Sequence, residues 1–166
     1  TGPFGFASFT WMSAPSLIDL RNVSTASLAR LFSLAQTLSQ EVPSDRNHVL
    51  ARRGWTAALA FFEASTRTRM SFETACVREG LWPLLLDAKG GTSLDKGETY
   101  EDTLLNILAM EPRLLVVRCG DDFDLGAFAR TCRTPILNAG WGRKGHPTQA
   151  LLDAATWLQH RPQLEG

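Results

Sequence analysis

The run Trp55-Thr56-Ala57-Ala58-Leu59-Ala60-Phe61-Phe62 constrains this chain more than any other stretch. It carries no charge and does not alternate apolar with polar residues, as a strand with one wet face would. A strand of this kind is buried on both faces, the usual condition of a strand in a parallel sheet. It needs a covering layer on each side, and the sequence around it supplies candidates in alternation. Residues 66–79 read as a helix closed by Gly80, a natural left-handed terminator. Residues 81–88 read as a second strand, broken by Lys89-Gly90-Gly91. A helix follows over 98–111, with acids in its first turn and Pro112 behind it. A third strand spans 114–119, a short helix 125–132 and a fourth strand 136–139, followed by the loop 140–145. Pro147 suits the first turn of a last helix, whose apolar stripe is Leu151, Leu152, Ala155 and Leu158. Ahead of the first strand, Leu28, Leu31, Phe32, Ala35 and Leu38 fall at helical spacing. Ser24 or Thr25 is placed to cap that helix, and Pro43 bars its continuation.

Strand and helix thus alternate four times, which predicts an α/β fold: a parallel four-stranded sheet with helices on both faces, a Rossmann-like three-layer arrangement. Ligands of such sheets sit beyond the carboxyl ends of the strands. That rule selects the loops 63–69, 89–98, 118–124 and 139–149.

Composition narrows the partners. The chain has 166 residues, which suits one domain, and its 44% hydrophobic content suffices for a core. Seventeen basic residues balance seventeen acidic ones, so neither nucleic acid nor an anionic membrane is an expected partner. Attraction for an anion must be local. Cys76, Cys119 and Cys132 form no CxxC pair, which disfavours a disulfide framework or a zinc site and fits a reducing, cytoplasmic setting. They read as filler in or near the core, and Trp55, Trp82 and Trp157 as packing residues. No apolar run approaches the ~18 residues of a membrane span. Residues 1–11 lack the basic start of a secretory signal, and Met12 is a candidate natural start. Residues 1–15 are accordingly read as a leader or disordered N-terminus, 16–160 as the domain, and 161–166 as the beginning of a link.

The segment Phe61-Phe62-Glu63-Ala64-Ser65-Thr66-Arg67-Thr68-Arg69-Met70-Ser71-Phe72-Glu73 carries the clearest chemistry. A buried strand runs directly into a helix whose first turn holds hydroxyls and guanidiniums. Free backbone N–H groups and the helix dipole make such a start an anion site. Ser65, Thr66 and Thr68 add hydroxyl donors, and Arg67 adds a planar fork suited to phosphate. The competing interpretation is a capped helix with Arg67 and Arg69 solvated. Arg118 ends an apolar strand, where a charge is costly unless it is paired or faces a ligand; Asp121 or Asp122 is the nearby pairing candidate. Lys96 lies in a loop of Gly, Thr and Ser, and a solvated lysine is the plainer account of it. His146 either terminates a helix or faces a ligand at the predicted edge. Gln149, three residues on, would share its direction. Trp141, in the same loop, is a further candidate for the pocket lining.

This first motif resembles that of the carbamoyltransferases, S-T-R-T-R before S-F-E, and F-F-E-A-S-T-R-T is more similar to the aspartate enzymes than to the ornithine ones. Ser93-Leu94-Asp95-Lys96-Gly97-Glu98 resembles the family's serine–lysine loop. Leu137-Asn138-Ala139-Gly140 and His146-Pro147-Thr148-Gln149-Ala150-Leu151-Leu152-Asp153 resemble its N-A-G and H-P-T-Q-A-L-L-D segments, and Val116-Val117-Arg118 its strand ending in arginine. The resemblance covers about residues 16–160. It implies the carbamoyl-phosphate-binding domain of a two-domain transferase, in which the amine of L-aspartate attacks the carbonyl carbon of carbamoyl phosphate. Carbamoyl aspartate and phosphate are the products, a step of pyrimidine biosynthesis needing no cofactor or metal.

Carried over by the resemblance, Ser65, Thr66, Arg67 and Thr68 hold the phosphate; Arg118, His146 and Thr68 face the carbonyl oxygen; Gln149 holds the carbamoyl amide. Ser93 and Lys96 complete the site of a neighbouring subunit in a homotrimer, and regulatory or dihydroorotase-like subunits are further partners of the family. Two departures stand out. Cys119-Gly120-Asp121-Asp122 replaces the family's His-Pro after the arginine, and no segment matches the aspartate-binding half. The expectation is therefore a domain fragment of the enzyme, inactive alone. An ornithine-type transferase and a non-catalytic homologue serving assembly or regulation are the alternatives. The intact set of site residues speaks against the latter.

Overall fold

The structure, a computed structural model, describes residues 16–40, 54–87 and 97–160. Among them are five helices and four strands: α1 (Thr25–Gln40), β1 (Thr56–Phe61), α2 (Thr66–Arg78), β2 (Trp82–Asp87), α3 (Tyr100–Leu108), β3 (Leu114–Cys119), α4 (Leu125–Thr131), β4 (Ile136–Trp141) and α5 (Pro147–His160). All strand pairs are parallel, in the order β2-β1-β3-β4. Successive pairs run outward from β1 in opposite directions, so the carboxyl ends of β1 and β3 flank the point where the connections diverge. Ligands favour that crevice in open sheets. Register fixes what meets there: Phe61 lies opposite Arg118.

The expected double burial of β1 holds. Ala57, Leu59 and Phe61 face a cluster with Val116, Ala139, Phe72 and Cys76, the last two from α2. Ala58 and Ala60 face the other way, onto Leu104 of α3, Leu125, Phe128 and Ala129 of α4, and Leu115, Val117 and Ile136. The alternation of the strand splits one apolar run between two layers, which is why every residue from Ala57 to Phe61 is buried. Cys76 and Cys119 lie in these layers, and Cys132 is half-buried. The small alanines let helices approach closely. Residues 16–18 cover the outer edge of β4, where the Leu17 N–H donates to the Ile136 carbonyl at 2.8 Å and the Leu17 carbonyl accepts from the Asn138 N–H at 3.0 Å.

The helix ends follow from local chemistry. Gly80, at φ 72°, closes α2 in a Schellman arrangement: its own N–H reaches the Val77 carbonyl, and the Leu81 N–H reaches that of Cys76. Ser24 caps α1 by accepting from the Ser27 N–H at 3.1 Å. The third helix starts later than the sequence suggests. Thr99 is its cap, accepting from the Asp102 N–H while its hydroxyl donates to the Asp102 carboxylate. It ends earlier too, with Glu111 in the left-handed region at φ 55° before Pro112.

Two tryptophans depart from the packing role expected of them. Trp82 is 68% exposed at the start of the outer strand β2, and Trp157 is 65% exposed on the outward side of α5. Trp55 is half-buried, with the Arg113 guanidinium 5.0 Å from its ring centroid. The helix α1 buries none of its residues. No helix among the described residues is long and apolar enough to cross a membrane.

Candidate functional site

Seven of the nine residues singled out from sequence line one cleft. Ser65, Thr66, Arg67 and Thr68 come from the start of α2, Arg118 from the end of β3, and His146 and Gln149 from the start of α5. Ser93 and Lys96 lie outside the described residues.

Ser65 is the N-cap of α2 in extended conformation, yet its hydroxyl makes no capping bond. The first-turn N–H groups have no intrahelical acceptor by construction of the helix. Hydroxyl and amides together therefore present unspent donors at the positive end of the dipole. Arg67 is exposed on the cleft side, whereas Arg69 is tied to Glu73 at 3.6 Å along the helix.

Arg118 is held on two sides. Its Nη1 donates to the Ala139 carbonyl at 3.0 Å, and Nη2 lies 3.7 Å from the Glu63 carboxylate. The pairing candidates from sequence were Asp121 and Asp122, but the partner is Glu63, just beyond β1 on the neighbouring strand. Asp121 is instead bound by Arg143 at 2.8 Å. Room for the guanidinium comes from Gly140, at φ +125°: a Cβ there would collide with Nη1 and stand 3.0 Å from Cζ.

His146 precedes Pro147 and caps α5 with its ring. Nδ1 accepts from the Gln149 N–H at 3.3 Å and lies 3.2 Å from the Thr148 hydroxyl. An accepting Nδ1 places the ring proton on Nε2. That atom is buried and has no partner among the described residues, as is also true of Arg118 Nε. Burial first, and the Arg118 charge second, hold the imidazole below its usual value of 6.5, against an opposing pull from Asp153. The ring is thus a neutral donor beside a fixed cation. Gln149 donates its amide to Asp153 at 2.9 Å, which leaves its carbonyl oxygen as the acceptor end.

Trp141 does not line this cleft, contrary to expectation. Its Nε1 donates to the Phe123 carbonyl at 2.8 Å, and its ring packs in the layer of α3 and α4. A bulge explains this. Val117 pairs with Asn138, but Cys119 pairs with Trp141, so β4 carries one extra residue. The extra residue inverts the in–out alternation and turns Trp141 to the opposite face. Asn138, 1% exposed, holds the bulge: its oxygen accepts from the Gly140 N–H at 2.8 Å, and its amide donates to the carbonyls of Ile18 and Gly145. Sequence reasoning missed Asn138 and Glu63 as supports. An amide within an apolar strand was the available signal for the first; nothing local signals the second.

Fold and cleft define an α/β domain that presents an anion-binding helix start, a fixed cation and a neutral imidazole donor at one edge of a parallel sheet. A family model for the carbamoyl-phosphate binding domain of aspartate/ornithine carbamoyltransferases matches residues 16–159, and the chain belongs to that family. It is 38% identical over 150 residues to the aspartate carbamoyltransferase catalytic subunit of Thermus thermophilus, covering 90% of this chain and 49% of the relative. It is 40% identical over 144 residues to that of Sulfurovum sp., covering 87% and 47%. Aspartate transcarbamoylase from Trypanosoma cruzi, solved with carbamoyl aspartate and phosphate, superposes with a TM-score of 0.81 at 30% identity, covering 93% of this chain and 50% of that one. The same enzyme solved with carbamoyl phosphate gives a TM-score of 0.79 at 29% identity, covering 93% and 47%. The chain spans about half the length of the curated relatives it matches.

Proposed function

We propose that this chain is the carbamoyl-phosphate-binding half of an aspartate carbamoyltransferase, which transfers the carbamoyl group to the amine of L-aspartate. The observation that carries the assignment is the pair of buried donors, Arg118 Nε and His146 Nε2, that have no partner among the described residues and belong to side chains lining the same cleft as the α2 start. A buried donor without an acceptor costs ~1–3 kcal/mol, so the fold retains two such groups at a cost that a ligand oxygen would offset. Phosphate at Ser65–Thr68 would set the carbonyl oxygen towards them, and Gln149 would accept from the carbamoyl NH2. As the amine adds, charge grows on that oxygen and on the departing phosphate, and donors already in place stabilise both without rearranging. A neutral imidazole suits the role, because its Nδ1 can accept from the Gln149 N–H while its Nε2 donates to the ligand.

The cleft measures about 1080 Å³, more than carbamoyl phosphate alone fills. The remainder suits an acceptor brought by a second domain, in keeping with the greater length of the relatives. In the same proposal Ser93 and Lys96 complete a neighbouring site within a cytoplasmic homotrimer. Calorimetry on the 166-residue chain with carbamoyl phosphate and with inorganic phosphate, beside a carbamoyl-aspartate assay, tests the core of it. Binding of both without turnover is expected. Failure to bind either removes the assignment, and turnover by this chain alone removes the need for a second half.

A further inference from the structure

The geometry points to Asp121 and Arg143 as positioning residues, a clasp between the β3–α4 and β4–α5 loops that sets where His146 stands. This rests on the function proposed above. Both carboxylate oxygens of Asp121 are engaged by one residue: the Arg143 N–H donates to Oδ1 and Arg143 Nε to Oδ2, each at 2.8 Å. These bonds, the side-chain one first, hold the Asp121 carboxyl below its usual range. Next to them the Gly142 N–H donates to the Cys119 carbonyl at 2.8 Å. Gly142 has φ +44°, and a Cβ there would stand 2.6 Å from Asp121 Cγ and 2.8 Å from its backbone nitrogen. The loop therefore lies on Asp121 as closely as backbone permits.

Its far end is fixed separately. The Gly145 carbonyl accepts from the Trp141 N–H at 3.0 Å and from Asn138 Nδ2 at 3.3 Å. Residues 141–145 are pinned at both ends, and His146 is the next residue.

The plain alternative is a surface ion pair. The Arg143 side chain is 94% exposed and that of Asp121 35%, so their mutual attraction is screened and adds little to stability. What such a pair does not need is the backbone N–H, nor a glycine that lets the loop settle on the carboxylate. Those features specify a position rather than an energy. Asp121 also lies in the stretch where the sequence departs from the His-Pro that the resemblance implies after Arg118.

The test uses the 166-residue chain and the variants Asp121→Ala, Asp121→Asn and Arg143→Ala. The His146 ring is titrated by NMR without ligand; its charged and polar neighbours Arg118, Asp153 and Thr148 are unchanged throughout. Affinities are then measured for inorganic phosphate and for phosphonoacetamide, the methylene analogue of carbamoyl phosphate. Asp121→Ala should move the His146 midpoint up towards 6.5 as water reaches the ring. It should also weaken phosphonoacetamide roughly threefold or more while leaving phosphate within about twofold. Arg143→Ala keeps the backbone bond and should shift both readouts less, in the same direction; Asp121→Asn should fall between. If Asp121→Ala does not fold, the other two decide. A midpoint and an affinity ratio that stay at their wild-type values, whatever happens to the melting temperature, overturn the clasp. If wild-type chain binds neither probe, the functional assignment fails, and the ligand-free titration still decides the clasp.

Discussion

Replacing His146 by asparagine separates the two tasks that its ring performs with different atoms. Nδ1 caps α5 through the Gln149 N–H at 3.3 Å, and Nε2 is one of the two cleft donors without a partner among the described residues. Asparagine is among the best N-caps, so it replaces the first task and cannot reach the second. A lost cap costs ~0.5–2 kcal/mol, and the length of this bond points to the lower end. For a domain of this size ~0.5 kcal/mol is roughly 1–2 °C in melting temperature. His146→Ala should show that loss and His146→Asn should not. The donor is worth more where it meets ligand. One hydrogen bond contributes ~0.5–1.5 kcal/mol net, or roughly 2- to 13-fold in affinity. That loss should appear for phosphonoacetamide and be absent for inorganic phosphate, which has no carbonyl oxygen. In the longer enzyme proposed above, the same change should cost ~2.7–4 kcal/mol of barrier, a rate lower by roughly a hundredfold or more, because the charge on that oxygen would grow during reaction. Arg67→Ala is the control, since it should weaken both ligands alike. Calorimetry on both variants with both ligands, beside melting curves, gives every quantity. An asparagine variant that binds phosphonoacetamide as wild type does, or that loses both ligands in parallel, refutes the assignment of Nε2 to the carbonyl oxygen.

Gly140→Ala should lower stability by ~1–3 kcal/mol through its positive φ alone, and should also weaken phosphonoacetamide by displacing the Arg118 guanidinium; normal binding with normal melting would contradict the packing described. Because His146 is depressed below 6.5 in the fold, the unfolded chain takes up its proton first, so this contribution is complete above about pH 6.5 and is lost as pH falls below it; His146→Asn should flatten the decline in melting temperature between about pH 7 and 5. Cys119 is fully buried and its thiol is pushed up to about 12, chiefly by burial, so a thiol reagent near pH 8 should label it only after unfolding, as peptide mapping would show. In the longer enzyme proposed above, mixing Lys96→Ala chains with Arg67→Ala chains should restore activity if sites are shared; no recovery despite demonstrated subunit exchange would count against sharing.

Much of this was legible in the chain itself because three of its strands, β1, β3 and β4, are buried on both faces. Continuous apolar runs such as Thr56–Phe61 leave little choice of element, and alternation with helices leaves little choice of sheet. The cleft residues were legible for a related reason: each sits at a strand or helix end, where the ligand-edge rule places it. What escaped depends on register. Glu63 meets Arg118 because Phe61 pairs with Arg118 across two strands far apart in sequence, while Asp121 and Asp122 look nearer on paper. Trp141 escaped for want of a single residue. Counting outward from Ile136 puts it on the cleft face, and only the bulge held by Asn138 puts it on the other. Trp82 and Trp157 were misjudged because hydrophobicity alone does not say which face of an outer element is covered.

The cleft draws on three separate βα units, and that has a consequence for how the chain unfolds. No single unit contains a binding site, since the α2 start, Arg118 and His146 meet only when β3 has inserted beside β1 and β4 beside β3. A ligand bound there stabilises the assembled sheet and nothing smaller, by ~2.7 kcal/mol at a hundred times its dissociation constant. Amide hydrogen exchange should register this as slowed opening throughout β1 and β3 together, although neither strand's backbone touches the cleft along most of its length. The helix α1, which buries none of its residues, should exchange at nearly the same rate with ligand or without. On the ribosome the same geometry sets an order of events: the motif at the start of α2 is complete early, but it has no cleft to belong to until the histidine has been made.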